Sequence, residues 1–261
     1  MAEKVLVTLG TGAMGPVLDQ SLYTFRSFAD RHGYDVVVGA GDEAEGRAPA
    51  WAKVPLIRRL LDAYRLVLWI DADAIIVDDS EDPASFLAAD SYQALVKHSW
   101  MGQEQPCTGV WLLRGNGRAK AFLDLIWEDD RYVQVHPWEQ GSAMLALGYQ
   151  SVSPGVMGTP TQWMDGTQWL DGEWDHIPIL AEARQLGDCR IRHYAAVPNA
   201  IRESQMRSDR HAIAARATKG PARSWHVLLA GAGRWRWRFI YAPERMLRLR
   251  RLVSPSRSGS L

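Results

Sequence analysis

"RLVLWIDADAIIVDD", residues 65–79, is an apolar run broken by two carboxylates one residue apart. Side chains at i and i+2 of a strand point to the same face, which sets Asp71 and Asp73 side by side. Adjacent carboxylates repel and raise one another's pKa unless positive charge lies between them. A divalent cation is the commonest such partner. The stretch therefore predicts a central strand that ends in a cation site.

The elements around it place that strand. Residues 4–9, "KVLVTL", predict a first strand, and "GTGAMG" a turn. "PVLDQSLYTFRSFADRHG" predicts an amphipathic helix with Pro16 near its start and Gly33 past its end. "YDVVVG" predicts a second strand, followed by the polar loop "AGDEAEGRAP". From Lys53 to Tyr64, the residues Val54, Ile57, Leu60, Leu61 and Tyr64 fall on one helical face. Beyond the aspartates, 92–98 and 108–115 predict strands, "GRAKAFLDLIWED" a helix, and 136–148 a turn that becomes a helix. Residues 151–198 are rich in Gly, Pro and Trp, with a strand-like piece at "RIRHYAA". There is no internal repeat.

Strands alternating with helices at these lengths predict an α/β fold: a mixed, mostly parallel sheet with helices on both faces. Ligands in such sheets bind beyond the carboxyl ends of the strands, which is where Asp71 and Asp73 stand. The expected domain spans 1–200. Residues 201–261 are expected to be an Arg/Trp-rich extension whose Ser- and Gly-rich end is disordered.

Bulk composition narrows the classes. Lys+Arg and Asp+Glu both number 30 in 261 residues, so no net charge draws the chain to nucleic acid. Cys107 and Cys189 make neither a disulfide framework nor a metal knuckle and suit a reducing compartment. The opening "MAEKVLVTLGTG" has no signal-peptide pattern, and no apolar run of about 18 residues is present to span a bilayer. The expectation is cytoplasmic. Arginines interleaved with Trp235, Trp237 and Phe239 also predict peripheral contact of 234–251 with an anionic inner membrane face.

Two motifs admit other readings. "GTGAMG" matches the dinucleotide fingerprint G-x-G-x-x-G, yet the acidic residue expected at the end of the second strand is missing, since Asp35 opens that strand and Gly39 ends it. A milder reading has Thr8 and Thr11 hydrogen-bonding a base or ribose. "DADA" also fits an aspartyl phosphohydrolase, with one carboxylate as nucleophile and the other as acid. Those enzymes usually carry the motif on their first strand, with Thr or Val where this chain has Ile75.

Four stretches taken in order carry a more specific likeness: "WAKVPLIRRLLDAYRLVLWIDADAIIVD", "CTGVWLLRGNGRAKAFLDLIWE", "HPWEQGSAML" and "RIRHYAA". They resemble nucleotide-sugar glycosyltransferases of the GT-A (Rossmann-like) fold, nearest the retaining galactosyl/mannosyl/xylosyltransferase family, over residues 5–197. The resemblance implies a nucleoside diphosphate sugar as donor, UDP-linked foremost, and a glycan, glycolipid or small-molecule acceptor. It also implies Mn²⁺, or Mg²⁺, as cofactor, because a cation against the diphosphate neutralises the leaving charge. Asp73 would bind the metal directly, and Asp71 the ribose or the metal through water. His193 would be the third ligand, and Lys53 would add a point charge to the phosphates. Carboxylates with one imidazole suit Mn²⁺ better than Mg²⁺.

Other positions follow from the same likeness. Glu139 and Gln140 stand where the family usually has Asp-Gln, with Glu139 toward sugar hydroxyls and Gln140 near the anomeric carbon. Cys107 replaces a frequent Asn in the acceptor wall and has no His or basic residue close in sequence. The loop "QWLDGEWDHIP" offers Trp169, Asp171 and Trp174 as an acceptor site, with His176 beside them.

Each residue also has a plainer reading. Lys53 fits a solvated helix face, His193 a packed histidine, Glu139 a partner for a helix dipole, and the tryptophans packing under a loop. A non-catalytic sugar-nucleotide or glycan-binding module remains an alternative for the whole chain. Retention can proceed through a covalent intermediate or by front-face attack; no stretch declares a nucleophile, which favours the second.

Overall fold

The computed structural model describes residues 2–180 and 186–219. In chain order the elements are β1 (Ala2–Thr8), α1 (Gly15–His32), β2 (Asp35–Val38), α2 (Lys53–Leu60), β3 (Tyr64–Ile70), β4 (Ala74–Ile76), β5 (Gln93–Trp100) and β6 (Gln103–Arg114). There follow α3 (Gly117–Glu128), α4 (Glu139–Leu147), β7 (Tyr149–Val152), β8 (Gly155–Met157), β9 (Thr167–Leu170), β10 (Ile191–His193) and α5 (Asn199–Lys219). Six strands form one sheet in the order β2-β1-β3-β6-β5-β9. β1 runs parallel to β2 and β3, and β9 parallel to β5, while β6 is antiparallel to both of its neighbours. The expected mixed, mostly parallel sheet is present, with β3 at its centre.

Strand alternation sorts the core into two layers. Val5, Val7, Val67, Trp69, Trp111 and Leu113 face α2, α3 and α4, where Ile57, Phe122, Ile126 and Met144 meet them. Leu6, Leu68, Ile70, Val110 and Leu112 face α1 through Leu18, Phe25 and Phe28. α1 starts with Pro16 in its first turn and stops at Gly33, whose φ of 70° is the left-handed conformation that glycine adopts freely. β5 and β6 join through Met101 (φ 52°) and Gly102 (φ 76°), a two-residue turn of the hand that matches strand twist.

Two expectations need correction. The helix expected to reach Tyr64 ends at Leu60, and Tyr64 opens β3 opposite Ala2. Tyr64 still packs against the core under α2, which is why it kept the helical spacing. Residues 201–219, expected only as the start of an Arg/Trp-rich extension, are instead helical within α5. Its "IRESQMRSDRHAIAARATK" has no apolar stripe, but it consists of adequate helix formers without Gly or Pro, and Met206 is fully buried.

The chain divides into a unit Met1–Arg210 and a unit His211–Leu261. The Arg/Trp-rich segment 234–251, and with it the expected membrane contact and disordered end, lies outside the described residues. Among the described residues, no helix is long and apolar enough to cross a membrane.

Phe122 joins the two halves of the α-side core, with ring centroids 5.6 Å from Tyr92, 6.2 Å from Trp111 and 5.5 Å from Trp163. Phe122→Ala should lower unfolding free energy by about 3–5 kcal/mol in a denaturant titration; a loss below about 1 kcal/mol would contradict this packing.

Candidate active site

Trp69 lies near the end of β3 and Asp71 directly follows the strand, and the Trp69 indole donates to Asp71 Oδ1 at 2.6 Å. The strand then stops. Asp71–Asp73 is a turn, closed by Ala74 N–H donating to the Asp71 carbonyl at 3.1 Å, so the two carboxylates converge by turn geometry and not by strand alternation as the sequence suggested. α1 pins that turn from below: Ser21 Oγ donates to the Ala72 carbonyl at 2.7 Å, and Ile76 N–H donates to Thr24 Oγ1 at 3.1 Å.

After the turn, β4 pairs with β10, setting His193 opposite Ala74. That ribbon brings His193 Nε2 to 3.3 Å from Asp73 Oδ1 and 3.6 Å from Asp71 Oδ2. Asp71, Asp73 and His193 each offer one ligand atom within 4.8 Å of the others. Gly109 makes the close approach possible, because a Cβ there would run into the His193 ring at Cε1. Two oxygen donors and one imidazole are a donor set suited to a divalent cation.

The other nitrogen of His193 is engaged as well. Nδ1 lies 2.9 Å from Asp175 Oδ1, and Asp175 Oδ2 lies 3.2 Å from His98 Nε2. Asp175 is fully buried. Burial alone would raise its pKa, but His193 and then His98 outweigh it and hold the carboxyl well below its ordinary value. Burial likewise opposes a charge on His193, and Asp175 and Asp73 overcome it, lifting the imidazole well above the usual range. Asp73 is lowered against burial by His193 and Arg202, with Arg202 Nε 3.2 Å from Asp73 Oδ2.

Lys53 is 4% exposed, so it is not on a solvated face. Its ammonium sits 3.0 Å from Asp71 Oδ1, 2.9 Å from Glu139 Oε1 and 3.2 Å from the Thr108 carbonyl. Burial opposes its charge, yet Asp71 and Glu139 raise the pKa above its ordinary value. Glu139 begins α4 just after Trp138, whose φ of 54° is uncommon for a non-glycine residue. Thr108 Oγ1 donates to Glu139 Oε1 at 3.0 Å, while Oε2 is buried without a hydrogen-bond partner. Burial, foremost, raises the Glu139 pKa. Gln140 Oε1 accepts from Thr108 N–H at 3.3 Å.

The remaining expected residues are scattered. Thr8 is fully buried, with an unpartnered Oγ1, and the Thr11 methyl closes on Gly41. Trp169 is partly buried with Lys97 Nζ 4.3 Å from its ring centroid, and Asp171 is exposed. Trp174 is 2% exposed, packed against Phe86 and Arg190, so the acceptor role expected of it gives way to core packing. Sequence reasoning missed Asp175, His98, Thr108 and Arg202. Asp175 stood inside the quoted loop "QWLDGEWDHIP", but nothing there set it apart from Asp171. His98 ends the predicted strand 92–98 on the face of Val96, an inward position that alternation could have flagged.

Comparison with known proteins agrees with this architecture. A model of the galactosyl transferase GMA12/MNN10 family matches residues 12–105, a segment that carries Lys53, Asp71 and Asp73. Among solved structures, a glycosyltransferase involved in the glycosylation of the major capsid of PBCV-1 superimposes with a TM-score of 0.60 at 13% identity, over 79% of this chain and 99% of that one. GlyE of Streptococcus pneumoniae TIGR4 gives 0.48 at 11% identity, over 86% and 66%. The galactosyltransferase LgtC in complex with donor and acceptor sugar analogs gives 0.42 at 13% identity, over 89% and 93%. No curated protein matches. The fold is that of GT-A-type glycosyltransferases. Within that fold, residues 12–105 resemble the galactosyl transferase GMA12/MNN10 family.

His98 gives the site a pH signature. Burial opposes its charge, but Asp175 and then Cys107 lift its pKa from 6.5 to about 10. Its stabilisation is therefore complete below pH 6.5 and is lost as pH rises through the folded value. In chelator-treated protein, the melting-temperature advantage of wild type over His98→Gln should shrink steadily between those limits. An advantage constant across the window would contradict the pairing.

Proposed function

We propose that this chain transfers a sugar from a UDP-linked donor to an acceptor hydroxyl with retention, using a divalent metal held by Asp71, Asp73 and His193. The observation that carries the reading is the convergence of those three ligand atoms within 4.8 Å at the carboxyl end of the central strand. When bound there, Mn²⁺ or Mg²⁺ would neutralise the charge that builds on a departing diphosphate. Asp175 holds His193 through Nδ1, which turns Nε2 toward the two aspartates; an outer carboxylate of this kind fixes the ring and strengthens the ligand.

Lys53 acts within the site by fixing Asp71 and Glu139 together. Arg202, paired to Asp73, adds positive charge at the same edge. Glu139 Oε2, the buried acceptor without a partner, suits a donor-sugar hydroxyl, since an unmade buried hydrogen bond is costly. Asp71, Asp73 and Asp175 are all committed to cations or imidazoles. That commitment supports front-face attack over a covalent carboxylate intermediate. Thr8 and Thr11 at the end of β1 remain the candidates for the nucleoside. Trp169 and Asp171 remain those for a glycan, glycolipid or small-molecule acceptor.

Release of UDP from a panel of UDP-sugars tests the reading. With Mn²⁺ present, Asp73→Ala should lower release by about a hundredfold or more, the scale of losing a principal charge-stabilising group. Asp175→Asn should keep the fold and weaken Mn²⁺ binding, read by electron paramagnetic resonance, by about 10–100-fold. Release that ignores both metal and Asp73 would overturn the proposal.

A further inference from the structure

The β5–β6 hairpin carries a second group of ligating side chains that sugar transfer does not use. Cys107 stands opposite Val96 in the ladder, and His98, two residues on, shares the face of Val96. Thiol and imidazole are thus diagonal neighbours on one side of a hairpin. Asp175 arrives from the loop after β9, its Oδ2 3.2 Å from His98 Nε2. One ligand atom from each of His98, Cys107 and Asp175 lies within 4.8 Å of the others. Asp175 is fully buried, Cys107 is 8% exposed, and the His98 side chain is 12% exposed.

We propose that His98, Cys107 and Asp175 form a second metal site, for zinc, which shares Asp175 with the proposed sugar-transfer site. The donor set carries the inference. A thiolate, an imidazole and a carboxylate together suit a borderline-soft, tetrahedral cation, whereas the oxygen-rich Asp71–Asp73–His193 group suits a harder one. Zinc bonds of about 2.0–2.3 Å hold ligand atoms roughly 3–4 Å apart, a separation this trio already approaches. Three protein ligands leave a fourth position for water or another ligand.

On binding, zinc forms bonds to the Cys107 sulfur, the His98 imidazole and Asp175 Oδ2, and the protons of thiol and imidazolium pass to solvent. Asp175 Oδ1 stays on His193, so one carboxylate serves both sites. Cys189 is a different environment, with its sulfur 3.7 Å from His176 Nδ1.

Cobalt titration of the chelator-stripped full chain is the test. The wild type should develop a thiolate-to-cobalt charge-transfer band at one equivalent. Cys107→Ser should abolish that band, His98→Gln should weaken cobalt binding at least tenfold, and Asp73→Ala should keep the band. Retention in Asp73→Ala separates this site from the proposed sugar-transfer metal. Zinc-edge X-ray absorption on the wild type, which needs no variant to fold, should show one sulfur neighbour at about 2.3 Å. A wild type without the charge-transfer band, a band that survives Cys107→Ser, or a zinc shell of nitrogen and oxygen alone would each overturn the proposal.

Discussion

Four carboxylates, those of Asp71, Asp73, Glu139 and Asp175, converge at one end of the sheet, and three of them are buried. Among the described residues, two permanent cations, Lys53 and Arg202, pair with them. A buried carboxylate without compensation costs several kcal/mol, so the local fold is organised by who neutralises whom. Lys53 reaches in from α2, Arg202 from α5, His193 from β10 and His98 from β5. Two fixed positive charges against four negative ones leave the site acidic unless both imidazoles hold protons. A divalent cation is the alternative way to make up the difference, since a metal that binds the same carboxylates takes the place of an imidazole proton.

That balance explains why the site rests on a rigid frame. Asp71 is anchored by the β3–β6 ladder, where its N–H donates to the Gly109 carbonyl at 2.8 Å, and Asp73 by the Tyr194 N–H at 2.8 Å. Gly109 therefore serves twice, tying the backbone of Asp71 and leaving room for the His193 ring. Any larger residue would press against an imidazole already held by Asp175. Packing and electrostatics constrain the same few atoms.

The frame was largely legible in the sequence, and the chemistry partly so. Short apolar runs placed β1, β3, β5 and β6, and Pro16 and Gly33 marked the ends of α1, because these signals are local. Asp71, Asp73 and His193 were recognisable by motif, and the structure brings them together. Lys53 was named, but as a charge for phosphates; its burial between Asp71 and Glu139 depends on α2 packing over β3, which no local pattern encodes. Asp175 and Arg202 were invisible for the same reason. Each reaches its partner across long sequence separation, Asp175 from a turn and Arg202 from a helix with no apolar stripe. The pairing of Cys107 with His98 was missed because nine positions separate them along the chain, while the hairpin turn at Met101–Gly102 closes that gap in space.

Holding a metal against a nucleoside diphosphate is the role proposed for the turn that Asp71 and Asp73 share. Calorimetric titration of UDP into the full chain, with and without Mn²⁺, on wild type and Asp73→Ala tests it most directly. Binding should require the metal and disappear in the variant. Binding that is equally strong without metal and unchanged by Asp73→Ala would contradict it.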